Sequence, residues 1–247
     1  MATTNNQPIT LDLEVHKQSI NVDIESIAPV QGFAANTFDI ANSTITAVVN
    51  NPTGANKLYR LVIHADVETG TSATARVVSS NTTTFKKLVK FERITKKHSD
   101  IIEPVLAKAG IVIDPSLPKK VQLEELAKHF KVADIEIPNG QQIVRIHLSQ
   151  VLRPNSDNPK KFHFDMYAPL LCFSPISSVR LSATLVLPLD FQAQASVTDV
   201  NFKPLPGQPT PDLIAGGNTP ITVGQQIAYG WLFQNVDPII YLDYVYN

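Results

Sequence analysis

Residues 163 to 165 read His-Phe-Asp. On a strand, side chains at i and i+2 share a face, so His163 and Asp165 could both turn toward one metal ion or one substrate. Two ligands do not make a site, and a third, such as His147, would have to come from a neighbouring hairpin. A solvent-facing His and Asp flanking a buried Phe164 accounts for the triplet more simply. His16, His64, His98 and His129 lie in unrelated contexts, and His98 sits beside Lys96 and Lys97 with no adjacent acid. There is no Gly-x-Ser-x-Gly elbow, phosphate loop, dinucleotide fingerprint or His-Glu-x-x-His. No catalytic residue, metal site or cofactor is therefore expected, and the chain reads as a non-enzyme.

The single cysteine, Cys172, lies in the apolar run Leu170-Leu171-Cys172-Phe173, where it reads as a small buried hydrophobe. One cysteine excludes a disulfide or a cysteine zinc site within the chain. Lys86, Lys87, Lys90, Arg93, Lys96 and Lys97, interleaved with Phe85 and Phe91, form the one basic stretch. A surface for nucleic acid or anionic lipid could begin this way. A solvated strand whose lysines block edge pairing is the simpler reading, because no regularly spaced aromatic platform accompanies the charges. Over the whole chain, 21 basic residues meet 22 acidic ones, and the first ten residues hold no Lys or Arg. Direct nucleic-acid binding is not expected, whereas membrane contact stays open.

The elements that would position these groups are mostly strands. Residues 9 to 27 alternate apolar and polar, pause over His16 to Ser19 and resume, which predicts a hairpin. Asn51-Pro52-Thr53-Gly54 and Pro138-Asn139-Gly140 each lie between β-branched runs and predict two more. Residues 72 to 80 supply a further strand. Residues 85 to 97 fit neither period cleanly and are read as a strand. Asp100 with Glu103 resembles a capping box for a short helix ending at Gly110, and Leu123, Leu126, Ala127 and Phe130 recur at helical spacing. Strand patterns return at 160 to 173, where Phe162, Phe164 and Met166 alternate, and at 177 to 191. Five prolines and three glycines between 204 and 220 predict an extended surface connection, after which strands follow near 225 to 234 and 238 to 247.

The fold class is mainly β: an antiparallel sandwich of jelly-roll type, single and elaborated or compact and double, with a small helical insertion. The chain divides into an N-terminal β block (1–84), a basic helical insertion (85–134) and a C-terminal β block (135–247) with a Pro-rich connection at 203–220. The last strand is apolar or aromatic on both faces, and Ile239, Tyr241, Tyr244 and Tyr246 are the candidates for a contact between subunits. From residue 181 onward one Lys stands against five Asp, so an acidic end could meet the basic middle of another copy. Low charge, many loop prolines and no catalytic constellation suggest a self-assembling structural protein, a viral or phage coat subunit, by fold-level analogy. Its partners would be copies of itself and could include other coat proteins, and its location the virion. The alternative is a β-sandwich that binds glycans or membranes, including a pore-forming toxin. Tyr229, Trp231, Phe233 and Tyr241 would then stack on sugars, or a Thr-rich hairpin at 72 to 87 would insert. The sequence opens on no secretory signal and contains no apolar run of about 18 residues, so synthesis in the cytoplasm is expected.

Overall fold

Along β2 (Asp39–Asn51) every second side chain is buried and those between are half exposed, as a strand with one face on a core requires. The computed structural model describes residues 14–34, 36–65, 71–78, 88–103, 113–167, 180–188, 195–204, 209–223, 226–234 and 238–247. The other strands are β1 (Glu14–Glu25), β3 (Lys57–His64), β4 (Ser72–Val78), β5 (Val89–Lys90), β6 (Glu92–Arg93), β7 (Phe130–Ile137) and β8 (Gly140–Leu152). They continue with β9 (Pro154–Asn155), β10 (Asn158–Tyr167), β11 (Arg180–Pro188), β12 (Ala195–Pro204), β13 (Asp212–Val223), β14 (Gln226–Gln234) and β15 (Pro238–Tyr246). A one-turn helix α1 (Ala28–Gln31) follows β1, and a 3-10 helix (Lys96–Ile101) and α2 (Lys119–His129) lie between β6 and β7.

The molecule is a mainly β sandwich of three sheets. An eight-stranded sheet runs β13-β14-β11-β1-β2-β8-β4-β5, a four-stranded sheet β12-β15-β10-β9 and a three-stranded sheet β3-β7-β6. Neighbours are antiparallel except β1 and β11, which pair in parallel. All three sheets contribute to one main core, with Ile20, Ile45 and Ile146 from the large sheet, Tyr59 and Ile135 from the small one and Phe164, Leu242 and Tyr244 from the third. A second core lies on the other face of the three-stranded sheet, where Val62 and Val132 meet Ile94, Ile101, Leu123, Leu126 and Phe130.

Several expected elements take a different form. Residues 9 to 27 do not make a hairpin: β1 is one strand, and a bulge between Val15 and Lys17 absorbs the pause in its alternation. Residues 9 to 13 lie outside the described set. The turns at Asn51 and Pro138 close no hairpin either, because β2 pairs with β1 and β8 while β3 pairs with β7. Both turns carry the chain between sheets, and they are tied together by Gly54 N–H donating to Asn139 Oδ1 at 2.9 Å and Asn51 Nδ2 donating to Ile137 O at 2.8 Å.

Before the helix expected to end at Gly110 stands a 3-10 helix over Lys96–Ile101, capped reciprocally by Thr95 and His98, and the chain is helical at Ile102 and Glu103. Residues 104 to 112 lie outside the described set. The Pro-rich connection is in part the edge strand β13, whose register shifts between Gly217 and Ile221 admit Pro220. Gly216, at φ +89°, comes so close to β14 that a Cβ there would stand 2.0 Å from Gly230 O. The two β blocks are interleaved, since β1, β2 and β4 share the large sheet with β8, β11, β13 and β14.

Candidate ligand-binding groove

Arg60 interrupts the apolar run Leu58 to Ile63 of β3 and is only 2% exposed. A buried guanidinium must be paired. Its Nε and Nη2 donate to Asp134 Oδ1 and Oδ2 on β7 at 2.7 and 2.9 Å, and its Nη1 donates to Asp100 Oδ1 on the 3-10 helix at 2.5 Å. Burial works against the charge, but the bonds and charges of Asp134 and then Asp100 outweigh it, so the Arg60 pKa lies above the ordinary guanidinium value. This fork fixes the outer end of β7 and the 3-10 helix relative to β3.

His98 is fully buried beside it. Nδ1 accepts the Thr95 backbone N–H at 2.9 Å, so the neutral ring carries its proton on Nε2. Nε2 lies 3.4 Å from Glu92 Oε1 and has no hydrogen-bond partner among the described residues. Burial, then the charges of Arg60 and Lys97, hold the His98 pKa below its ordinary value against the pull of Glu92 and Asp134. Glu92 is itself in contact with Lys97.

β6 pairs with β7 only at Val132 and Lys131. Beyond that point the outer edge of β7 has no strand partner among the described residues, and a groove of about 530 Å³ opens beside it. Leu58, Val77, Leu88, Val89 and Ile135 form apolar walls, with Lys90, Asp134 and Glu136 at the polar positions. Asp134 is already neutralised by Arg60, and Glu136 accepts a bond from Asn56 at 2.7 Å. Among the described lining residues Lys90 and Glu136 carry the charge not neutralised by an ion pair, and Glu136 keeps a second carboxylate oxygen for a ligand. A second, smaller cleft of about 360 Å³ is lined by Arg93, Ile94, Thr95, Lys96, Lys120, Leu123, Glu124 and Ala127.

The structure separates the residues singled out from sequence. β15 is not a free terminal strand: β10 and β12 flank it, and Ile239, Tyr244 and Tyr246 are buried at 2%, 0% and 2% exposure. Its apolar faces are covered within one chain, which removes those three side chains from a contact between subunits, while Tyr241 is half-buried under Lys203. Of the basic stretch, Lys90 lines the groove, Arg93 and Lys96 line the second cleft and Lys97 meets Glu92. Lys86 and Lys87 lie outside the described residues, as does Cys172.

His163 pairs not with Asp165 but with Asp243 across the β10–β15 ladder, at 2.6 Å, and His147 belongs to a different sheet. Among the described residues no three His, Cys, Asp or Glu stand where they could hold one metal ion. Tyr229, Trp231 and Phe233, proposed as a sugar platform, are buried at 4%, 3% and 0% exposure. β4, the start of the hairpin imagined to insert into lipid, is held between β8 and β5 with Ala73, Ala75 and Val77 in the core. The residue that sequence reading missed is Arg60. Its signal was available, as a lone charge inside Leu58-Tyr59-Arg60-Leu61-Val62-Ile63.

No protein-family model and no curated protein matches the sequence. Among solved structures, the chain is similar to a Legionella pneumophila protein with a proposed role in nutrient binding, at 7% identity and a TM-score of 0.50, over 97% of this chain and 69% of that one. The likeness is one of fold. Leukotriene A4 hydrolase from Saccharomyces cerevisiae aligns at 11% identity and a TM-score of 0.40, over 94% of this chain and 29% of that one. An M1 zinc metallopeptidase from Deinococcus radiodurans aligns at 10% identity and a TM-score of 0.35, over 95% and 42%. The chain therefore spans less than half the length of these two enzymes.

The coat-subunit expectation is overturned at this point. It rested on fold analogy, and the analogy leads to a protein linked to nutrient binding rather than to capsid subunits. The virion location falls with it. No helix among the described residues is long and apolar enough to cross a membrane.

Proposed function

We propose that the chain is a non-catalytic binding domain whose groove takes a short apolar peptide in extended form. The observation that carries this reading is the edge of β7 that has no strand partner among the described residues and lies beside apolar walls. Main-chain hydrogen bonds to such an edge supply affinity, and side-chain pockets next to it supply selectivity. Lys90 and Glu136 stand on the same groove, so a carboxylate and an ammonium group can both be met. A concave, mainly apolar site with few polar groups is the usual form of a small-ligand site. The role proposed for the Legionella protein of similar fold is in keeping with this one.

Isothermal titration with short apolar peptides, free and blocked at both termini, tests the reading. Binding is expected to weaken about two- to fivefold in each of Lys90→Ala and Glu136→Gln, since both positions are exposed. Leu88→Ala, on a side chain 52% exposed, should weaken it further without loss of fold. No heat with any peptide, or binding that all three variants leave unchanged, would remove the groove from consideration.

A further inference from the structure

The second cleft gathers more positive than negative charge among the described residues. Arg93, Lys96 and Lys120 line it with one acid, Glu124, which already lies 3.7 Å from Lys120. The other nearby acid, Glu92, is taken by Lys97. Arg93 sits in register opposite Lys131, cation against cation. Lys119 and Lys120 occupy the first turn of α2, where no acid stands and no side chain caps the helix, although that end of a helix disfavours positive charge. The register of Arg93 against Lys131 and the two lysines at the start of α2 are unfavourable for the protein alone. Below the cationic rim lie Ile94, Leu123 and Ala127, an apolar floor. A free inorganic anion would use the rim and leave the floor, whereas a phosphate group attached to an apolar body would use both.

We propose that this cleft binds the phosphate head group of an acidic lipid, with the lipid's apolar part against Ile94, Leu123 and Ala127. The site is independent of the peptide groove and stands or falls without it. Arg93, Lys96 and Lys120 are all exposed, so the rim is open to a membrane surface or to a single lipid.

The test uses the full chain. Its binding is measured to vesicles of phosphatidylcholine with and without phosphatidylglycerol, to a short-chain phosphatidylglycerol below its micelle concentration, and to inorganic phosphate. Binding is expected only where phosphatidylglycerol is present, and it should fall as salt is raised. Lys96→Glu with Lys120→Glu, two exposed positions, should reduce it about thirtyfold while the circular dichroism spectrum is unchanged. Three results would overturn the proposal: no preference for the acidic lipid, inorganic phosphate binding as tightly as the short-chain lipid, or affinity for the lipid surviving the double variant.

Discussion

His98 has no room for a second proton. Its Nδ1 accepts a backbone N–H and its surroundings include Arg60 and Lys97, with only Glu92 and Asp134 opposing them. Protonation would set an N–H against the Thr95 N–H and place a charge in the second core. The folded-state pKa lies below 6.5, so as pH falls the unfolded chain takes up the proton first. The contribution of neutral His98 is complete above that value and is lost as pH drops through the folded pKa, with a slope of at most about 1.4 kcal/mol per pH unit. Urea unfolding between about pH 7 and pH 5, above the carboxylate range, should show stability decreasing. His98→Asn, which keeps an acceptor for Thr95 N–H, should flatten that decrease. A small slope of the same sign will remain from His147, whose pKa is lowered by burial and by Arg76 and Arg145, and which is exposed enough for solvent to screen it. An unchanged slope in the variant would mean that His98 is not the titrating group.

At the scale of elements, β15 is where sequence and structure part most clearly. Its two apolar faces are plain in the sequence, but what covers them is not. The cover is internal: β10 and β12 flank the strand, and Ile240, Leu242, Tyr244 and Tyr246 enter the main core. The Tyr244 and Tyr246 hydroxyls also stand 2.7 and 2.8 Å from Asp39 Oδ2, while Asp39 Oδ1 accepts the backbone N–H groups of Ile27 and Ala28 at 2.8 Å each. A fully buried carboxylate is thus satisfied by groups from opposite ends of the chain. Four large side chains at about 1.5–3 kcal/mol each amount to most of a domain's stability. A chain ending before Pro238 should therefore fail to fold, with no cooperative melt, rather than dissociate into folded subunits. A folded, monomeric truncation product would show that β15 serves an interface after all.

The same contrast governs what could be read in advance. Alternation made β10 legible, because burial on one face leaves a period of two in the residues themselves, while β2, β14 and β15 showed as β-branched or apolar runs beside turn residues. The turns at Asn51 and Gly140 were legible as reversals, yet turn chemistry is local and does not state which sheet the next strand joins. The site was the least legible part. Arg60 could be recognised as a buried charge needing a partner, but Asp100 and Asp134 lie 40 and 74 residues away and nothing local marks them.

For the whole molecule, the question is whether two cores make two folding units. The second core is smaller and holds the helices, so it could in principle melt first. Its sheet argues against that. β3 and β7 present Val62 and Val132 to the second core and Tyr59, Leu61, Ala133 and Ile135 to the main one, so releasing the helical side strips cover from strands whose other face anchors the main core. The single tryptophan, Trp231, lies buried on β14 and reports on the main core alone, while far-ultraviolet circular dichroism reports on all elements. Thermal unfolding followed by both probes should give coincident midpoints, the mark of one cooperative unit. Asp134→Ala, which leaves Arg60 buried with only Asp100 to meet it, should lower both midpoints together. If the circular dichroism transition instead moved below an unmoved tryptophan transition, the three-stranded sheet and its helices would form a separate layer, and the groove beside β7 would open and close with it.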